Sequence, residues 1–178
     1  MCFNFVMVVA FLLGGLLLNC PAYATTAKEY NVSGLAYGEE GQFPQAIAAF
    51  TQAIVMDPNF EKAYNNRGVV YYKQGDITHA IFDFDEALAI NPDYVDAYCN
   101  RGLAYGKQGE SAQAIIDFTK AIQTDVMFTK AYVNRAVAYF DAQDYDNAWA
   151  DVHRAEQLGN IISPGFLDAL KKESGRDK

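Results

Sequence analysis

The chain has 178 residues, 51% of them hydrophobic, with a formal charge of −8 and an isoelectric point near 4.6. That length and apolar content suffice for one packed domain. The acidic balance argues against nucleic-acid binding, because contact with a phosphate backbone needs a basic surface.

Met1 to Ala24 carries no charged side chain, and Phe3 to Leu18 is a nearly unbroken apolar run of sixteen residues. A bilayer-spanning helix needs ~20, so the run suits the core of a signal peptide. Ala22-Tyr23-Ala24 has the small-x-small form of a cleavage site, which would give a mature chain from Thr25. Leu17-Leu18-Asn19-Cys20 also resembles a bacterial lipobox, in which Cys20 would be acylated. Residues 1–24 are therefore expected to be a signal peptide or a membrane anchor, and the remainder to be exported to the periplasm or secreted. Cys2 and Cys20 lie in this leader, so Cys99 has no internal disulfide partner.

Beyond the leader the chain repeats itself with a fixed period. Residues 61–94 define the unit, and residues 27–60, 95–128 and 129–162 carry it in register. Tyr30 in the first copy corresponds to Tyr64, Tyr98 and Tyr132. Gly34 corresponds to Gly68 and Gly102, Tyr37 to Tyr71, Tyr105 and Tyr139, and Ala46 to Ala80, Ala114 and Ala148. In the Glu61 copy, apolar residues at Ala63, Tyr64, Val70 and Tyr71 have a helical period, Gly75-Asp76 interrupts it, and Ala80, Ile81, Phe84, Ala87 and Leu88 resume it. Asn91-Pro92 ends the second helix, because the residue before proline is pushed out of the α region. Each copy is thus a helical hairpin, with small residues at Gly68 and Ala80 admitting Phe84 at the crossing.

The first and fourth copies are the irregular ones. Gly34 and Gly38 both fall in the first helix of copy one, where fraying is expected, while Pro44 suits the start of its second helix. Copy four has Ala136 for Gly, Val152 for Phe and Asn160 for Pro. Residues 163–178 then read as a capping helix begun by Ser163-Pro164, apolar at Phe166, Leu167 and Leu170, with a disordered tail from Gly175.

Tyr64, Gly68, Tyr71, Ala80, Phe84, Ala87 and Pro92 resemble the signature of the tetratricopeptide repeat (TPR) family. The resemblance implies an all-α, right-handed superhelix of four helical hairpins plus the cap, with a concave groove lined mainly by each repeat's first helix. It also implies a non-catalytic scaffold for protein–protein interaction. Arg67, Arg101 and Arg135 stand where the family pattern has Leu. They recur in step with Asp83, Asp117 and Asp151, and copy one lacks both members, having Ser33 and Ala49. Pairing of these Arg and Asp residues within each repeat is expected.

Asn66, Asn100 and Asn134 share one register on three first helices. Their amides suit hydrogen bonding to the main chain of an extended peptide, in the manner of an asparagine ladder, or to a neighbouring helix. At the family's inward positions lie Lys28, Lys62, Lys73, Lys107 and Lys130 against Glu39, Asp96 and Asp141. The groove would then be locally basic within an acidic protein, favouring an extended partner peptide of acidic character. No His/Cys cluster, nucleophile setting or phosphate loop appears, so no cofactor or metal is implied. Asp83, Asp85 and Glu86 read as a solvated charged face, and Cys99 as an ordinary thiol on the groove-lining helix face. The alternative function is assembly or self-association through the convex acidic face.

Overall fold

A computed structural model describes residues 26–176, and the leader, including Cys20, lies outside the described residues. The described residues form nine α-helices: α1 (Ala27–Glu39), α2 (Phe43–Met56), α3 (Glu61–Gln74), α4 (Ile77–Ile90), α5 (Val95–Gln108), α6 (Ser111–Thr124), α7 (Thr129–Asp141), α8 (Tyr145–Gln157) and α9 (Pro164–Ser174). None is long and apolar enough to cross a membrane. Each helix packs on the next in sequence, giving four hairpins stacked side by side. The first helices also meet across repeats (α1 with α3, α3 with α5, α5 with α7), and the second helices make no comparable contacts. The stack therefore curves with the first helices on its inner face.

The hairpin crossing depends on a glycine paired with a phenylalanine. A Cβ placed on Gly68 would sit 2.7 Å from the Phe84 ring, and one on Gly102 would sit 2.8 Å from Phe118. Gly34 meets Phe50 the same way, at 2.6 Å. In copy one, α1 runs unbroken from Ala27 to Glu39, with Gly34 packed closely on Phe50. Thr26 and Glu29 form a reciprocal capping box at its start, which the sequence pattern did not flag. Copy four solves the crossing with different volumes. Ala136 adds the methyl that Gly lacks, Val152 is smaller than the Phe it replaces, and both are fully buried. Trp149, also buried, donates its indole N–H to Ser174 of the cap at 3.0 Å.

Pro164 opens α9, and Leu170 is fully buried beneath it, with Phe166 and Leu167 packed on the core of repeat four. The tail expectation needs correction at its start. Gly175 closes α9 in the left-handed conformation (φ 69°), and Arg176 pairs with Asp146. Gly41, Gly75 and Gly109 take positive φ at the hairpin turns; Gln143 occupies the same register in repeat four with φ 62°.

Candidate functional site: the inner face of the stack

The inner face rests on the Arg–Asp pairs, which form within each repeat as expected. Arg67 donates Nε and Nη2 to the two carboxylate oxygens of Asp83, both at 2.8 Å. Arg101 grips Asp117 at 2.8 and 2.7 Å, and Arg135 grips Asp151 at 2.7 and 2.8 Å. These Asp residues are buried, so Asp83 is no part of a solvated charged face. Asp85 is exposed, as that reading expects, and pairs with Arg101 at 2.5 Å. The third arginine nitrogen reaches the preceding repeat, where Nη1 of Arg67 meets Thr51 and that of Arg135 meets Thr119, each at 2.9 Å. Each arginine thus ties its own hairpin to the one before.

The fork of two short charge-assisted bonds raises the affinity of Arg67, Arg101 and Arg135 for their protons, chiefly through the hydrogen bonds to Asp. The arginines also lie over tyrosine rings of the same helix, Arg135 between Tyr132 at 5.8 Å and Tyr139 at 5.7 Å. In repeat one, Ser33 and Ala49 replace the pair. A cleft of about 590 Å³ opens there, lined by Tyr30, Tyr37 and Gln52 among others.

The Asn column is half-buried, and its amide nitrogens are engaged. Asn66 donates to Oδ1 of Asn31 at 3.0 Å, Asn100 to Oδ1 of Asn65 at 2.9 Å, and Asn134 to Sγ of Cys99 at 3.4 Å. Each bond joins first helices of successive repeats. This corrects the picture of a free amide ladder: one donor of each side chain already serves the stack. Cys99 is likewise buried between repeats, and burial pushes its thiol up to about 11. It is not an accessible groove residue.

Lys62, Lys73, Lys107 and Lys130 are exposed on the first helices. Of the predicted groove residues, Lys107, Asn134 and Asp141 line a common cleft. It has a volume of about 460 Å³ and spans α3, α5, α6 and α7. Its floor is apolar, from Gly102, Ala114, Phe118 and Ala138; its walls are Tyr72, Leu103 and Val137; Lys107 and Asp141 stand at the rim. Lys107 Nζ lies 5.1 Å from the centre of the Tyr72 ring. Burial holds the Asp141 carboxyl above its ordinary value. Leu103 and Val137 are more than a third exposed, although both are apolar. The sequence reading missed these groups. Their one signal was apolar residues in a register of the first helix that the hairpin core does not use. No group of three or more His, Cys, Asp or Glu side chains among the described residues is placed to hold a metal.

Helical hairpins stacked side by side around a hollow inner face define a helical-repeat solenoid. The chain belongs to the tetratricopeptide repeat family. The TPR repeat profile matches residues 34–75 and 70–109, the tetratricopeptide repeat profile matches 95–125, and together they cover more than half of the chain. Among solved structures, MamA is similar at 27% identity and a TM-score of 0.72, over 78% of this chain and 81% of that one. The first TPR domain of Spaghetti (RPAP3), bound to the HSP90 peptide SRMEEVD, is similar at 22% identity and a TM-score of 0.65, over 66% and 94%. Pseudomonas aeruginosa PilF reaches a TM-score of 0.76 at 20% identity, over 86% and 70%. No curated protein sequence matches.

Proposed function

We propose that this protein is an exported, non-catalytic interaction scaffold whose concave groove binds an extended, acidic segment of a partner protein. The observation that carries the reading is the open cleft across three successive repeats, with an apolar floor and Lys107 at its rim. Lys62, Lys73 and Lys130 are exposed on the same set of helices, so an acidic peptide would meet complementary charge along its length. The partly satisfied amides of Asn66, Asn100 and Asn134 retain hydrogen-bonding capacity toward a peptide main chain. Export rests on the leader, and the intact mass of the native protein tests it. An N-terminus at Thr25 or an acylated Cys20 supports it, and an unmodified chain from Met1 in the cytosol sinks it.

A phage-displayed random peptide library panned on the immobilised protein tests the groove. Enrichment of Asp- and Glu-rich peptides is expected, and the change of Lys62, Lys73, Lys107 and Lys130 to Ser should abolish it. Equal enrichment on the Lys variant would sink the reading. A second reading, docking through the outer face, has its own observation. Phe82 and Ile116 share a register on α4 and α6 and are 55% and 61% exposed. Under that reading, changing both to Ser removes binding and the Lys variant leaves it intact.

A further inference from the structure

The cleft exists because the third repeat lacks a side chain that its neighbours supply. Tyr72, Gly106 and Phe140 occupy one register in successive repeats, on α3, α5 and α7. Tyr72 forms a wall of the cleft, while Phe140 packs edge-on against Phe166 of the cap at 5.7 Å. At Gly106 there is no ring, and a Cβ added there would meet nothing within 4 Å. Glycine is not required by the backbone at this point: Gly106 lies inside α5, and it is not among the glycines with positive φ. Nor does it admit a close neighbour, as Gly102 does for Phe118 one turn earlier. A glycine that serves neither turn nor packing leaves a helix weaker than alanine would, and what it leaves open is the space above Phe118.

We infer that the space over Gly106 is a selectivity pocket for one aromatic side chain of the bound segment, which takes the place held by Tyr72 and Phe140 in the adjoining repeats. This inference rests on the groove-binding reading and names what that groove selects. The floor of Gly102, Ala114, Phe118 and Ala138 has no charge to satisfy, so the incoming group is apolar. The Tyr72 ring offers a stacking wall, and aromatic pairs gain beyond simple area burial. Lys107 already lies over Tyr72 and stands at the rim, where it meets an acidic residue flanking the aromatic. Asp141 on the opposite rim disfavours acidic residues on that side. The preferred ligand is therefore an extended peptide with a Phe, Tyr or Trp next to an acidic residue on one side only.

The same peptide library, panned on the wild-type full chain and on two variants, decides the matter. Gly106→Phe fills the register with a residue the chain itself uses at 140, and Gly106→Ala adds only a methyl. Circular dichroism and melting temperature should show both variants folded, since nothing lies within 4 Å of an added Cβ and the cleft beside it leaves room for a ring. Wild type and Gly106→Ala should enrich peptides with an aromatic at one fixed position. Gly106→Phe should lose that preference, and the affinity of a selected aromatic peptide should fall about tenfold or more. Replacing the aromatic by Ala in that peptide should cause a similar loss on wild type and little on Gly106→Phe. Peptides that depend on the lysines but show no aromatic position would overturn the pocket and leave the groove reading standing. An aromatic preference that survives in Gly106→Phe would do the same. Absence of any enriched peptide, or enrichment indifferent to the lysines, would overturn both.

Discussion

Each Arg–Asp pair holds two charges away from water, so each side chain depends on its partner. Asp83 is 1% exposed and Arg67 15% exposed, so neither charge is left to water. Removing one member strands the other, which costs about 3–5 kcal/mol for a buried pair. Asp83→Ala should therefore lower stability by roughly that amount in a denaturant titration. Repeat one already lives with Ser33 and Ala49 in these places, so Arg67→Ser with Asp83→Ala should recover a large part of the loss. The same loss in the double variant would mean the arginine acts mainly through Thr51. Legibility differed between partners: joint loss of Arg and Asp from copy one revealed the pair, whereas Thr51 and Thr119 carry no recurrent charge and could not be seen. The Asn register was visible, but its acceptors were not, because they differ in kind: Asn31, Asn65 and Cys99. Asn100→Ala strands the buried Oδ1 of Asn65, at a cost of about 1–3 kcal/mol. A lowered melting temperature is expected, and an unchanged one would show the amide free for ligand.

At the scale of the hairpin, the turn decides what a repeat tolerates. Gly41, Gly75 and Gly109 adopt positive φ without steric cost, and Gln143 must place a Cβ in the same region. Gln143→Gly should stabilise the protein, by up to about 1 kcal/mol after the entropy that glycine adds to the unfolded chain. Thermal denaturation measures it, and a destabilised variant would show that the glutamine side chain holds the turn. In the Glu61 copy the helix ends were legible to within a residue because Gly75-Asp76 and Asn91-Pro92 punctuate it: α3 ends at Gln74 and α4 runs from Ile77 to Ile90. The paired change at Ala136 and Val152 reads in sequence as decay of the signature. In three dimensions it exchanges volume across one contact, which no single position reveals.

At the scale of the whole molecule, the fixed repeat period settles the architecture, since each hairpin needs its neighbour to bury its apolar faces. Curvature follows from first helices touching first helices, so side chains that look unremarkable on α3, α5 and α7 converge on one hollow. Tyr72, Leu103 and Val137 come from three different repeats, and their meeting was beyond reach until the stack was in view. The central claim is that recognition occurs on this inner face. The most direct measurement is amide and methyl NMR of the protein titrated with a peptide selected from the library. Shifts centred on Leu103, Gly106, Lys107, Asn134 and Val137, with α4 and α6 unperturbed at Phe82 and Ile116, are the result this account predicts. Shifts centred on Phe82 and Ile116, with the inner face silent, would contradict it.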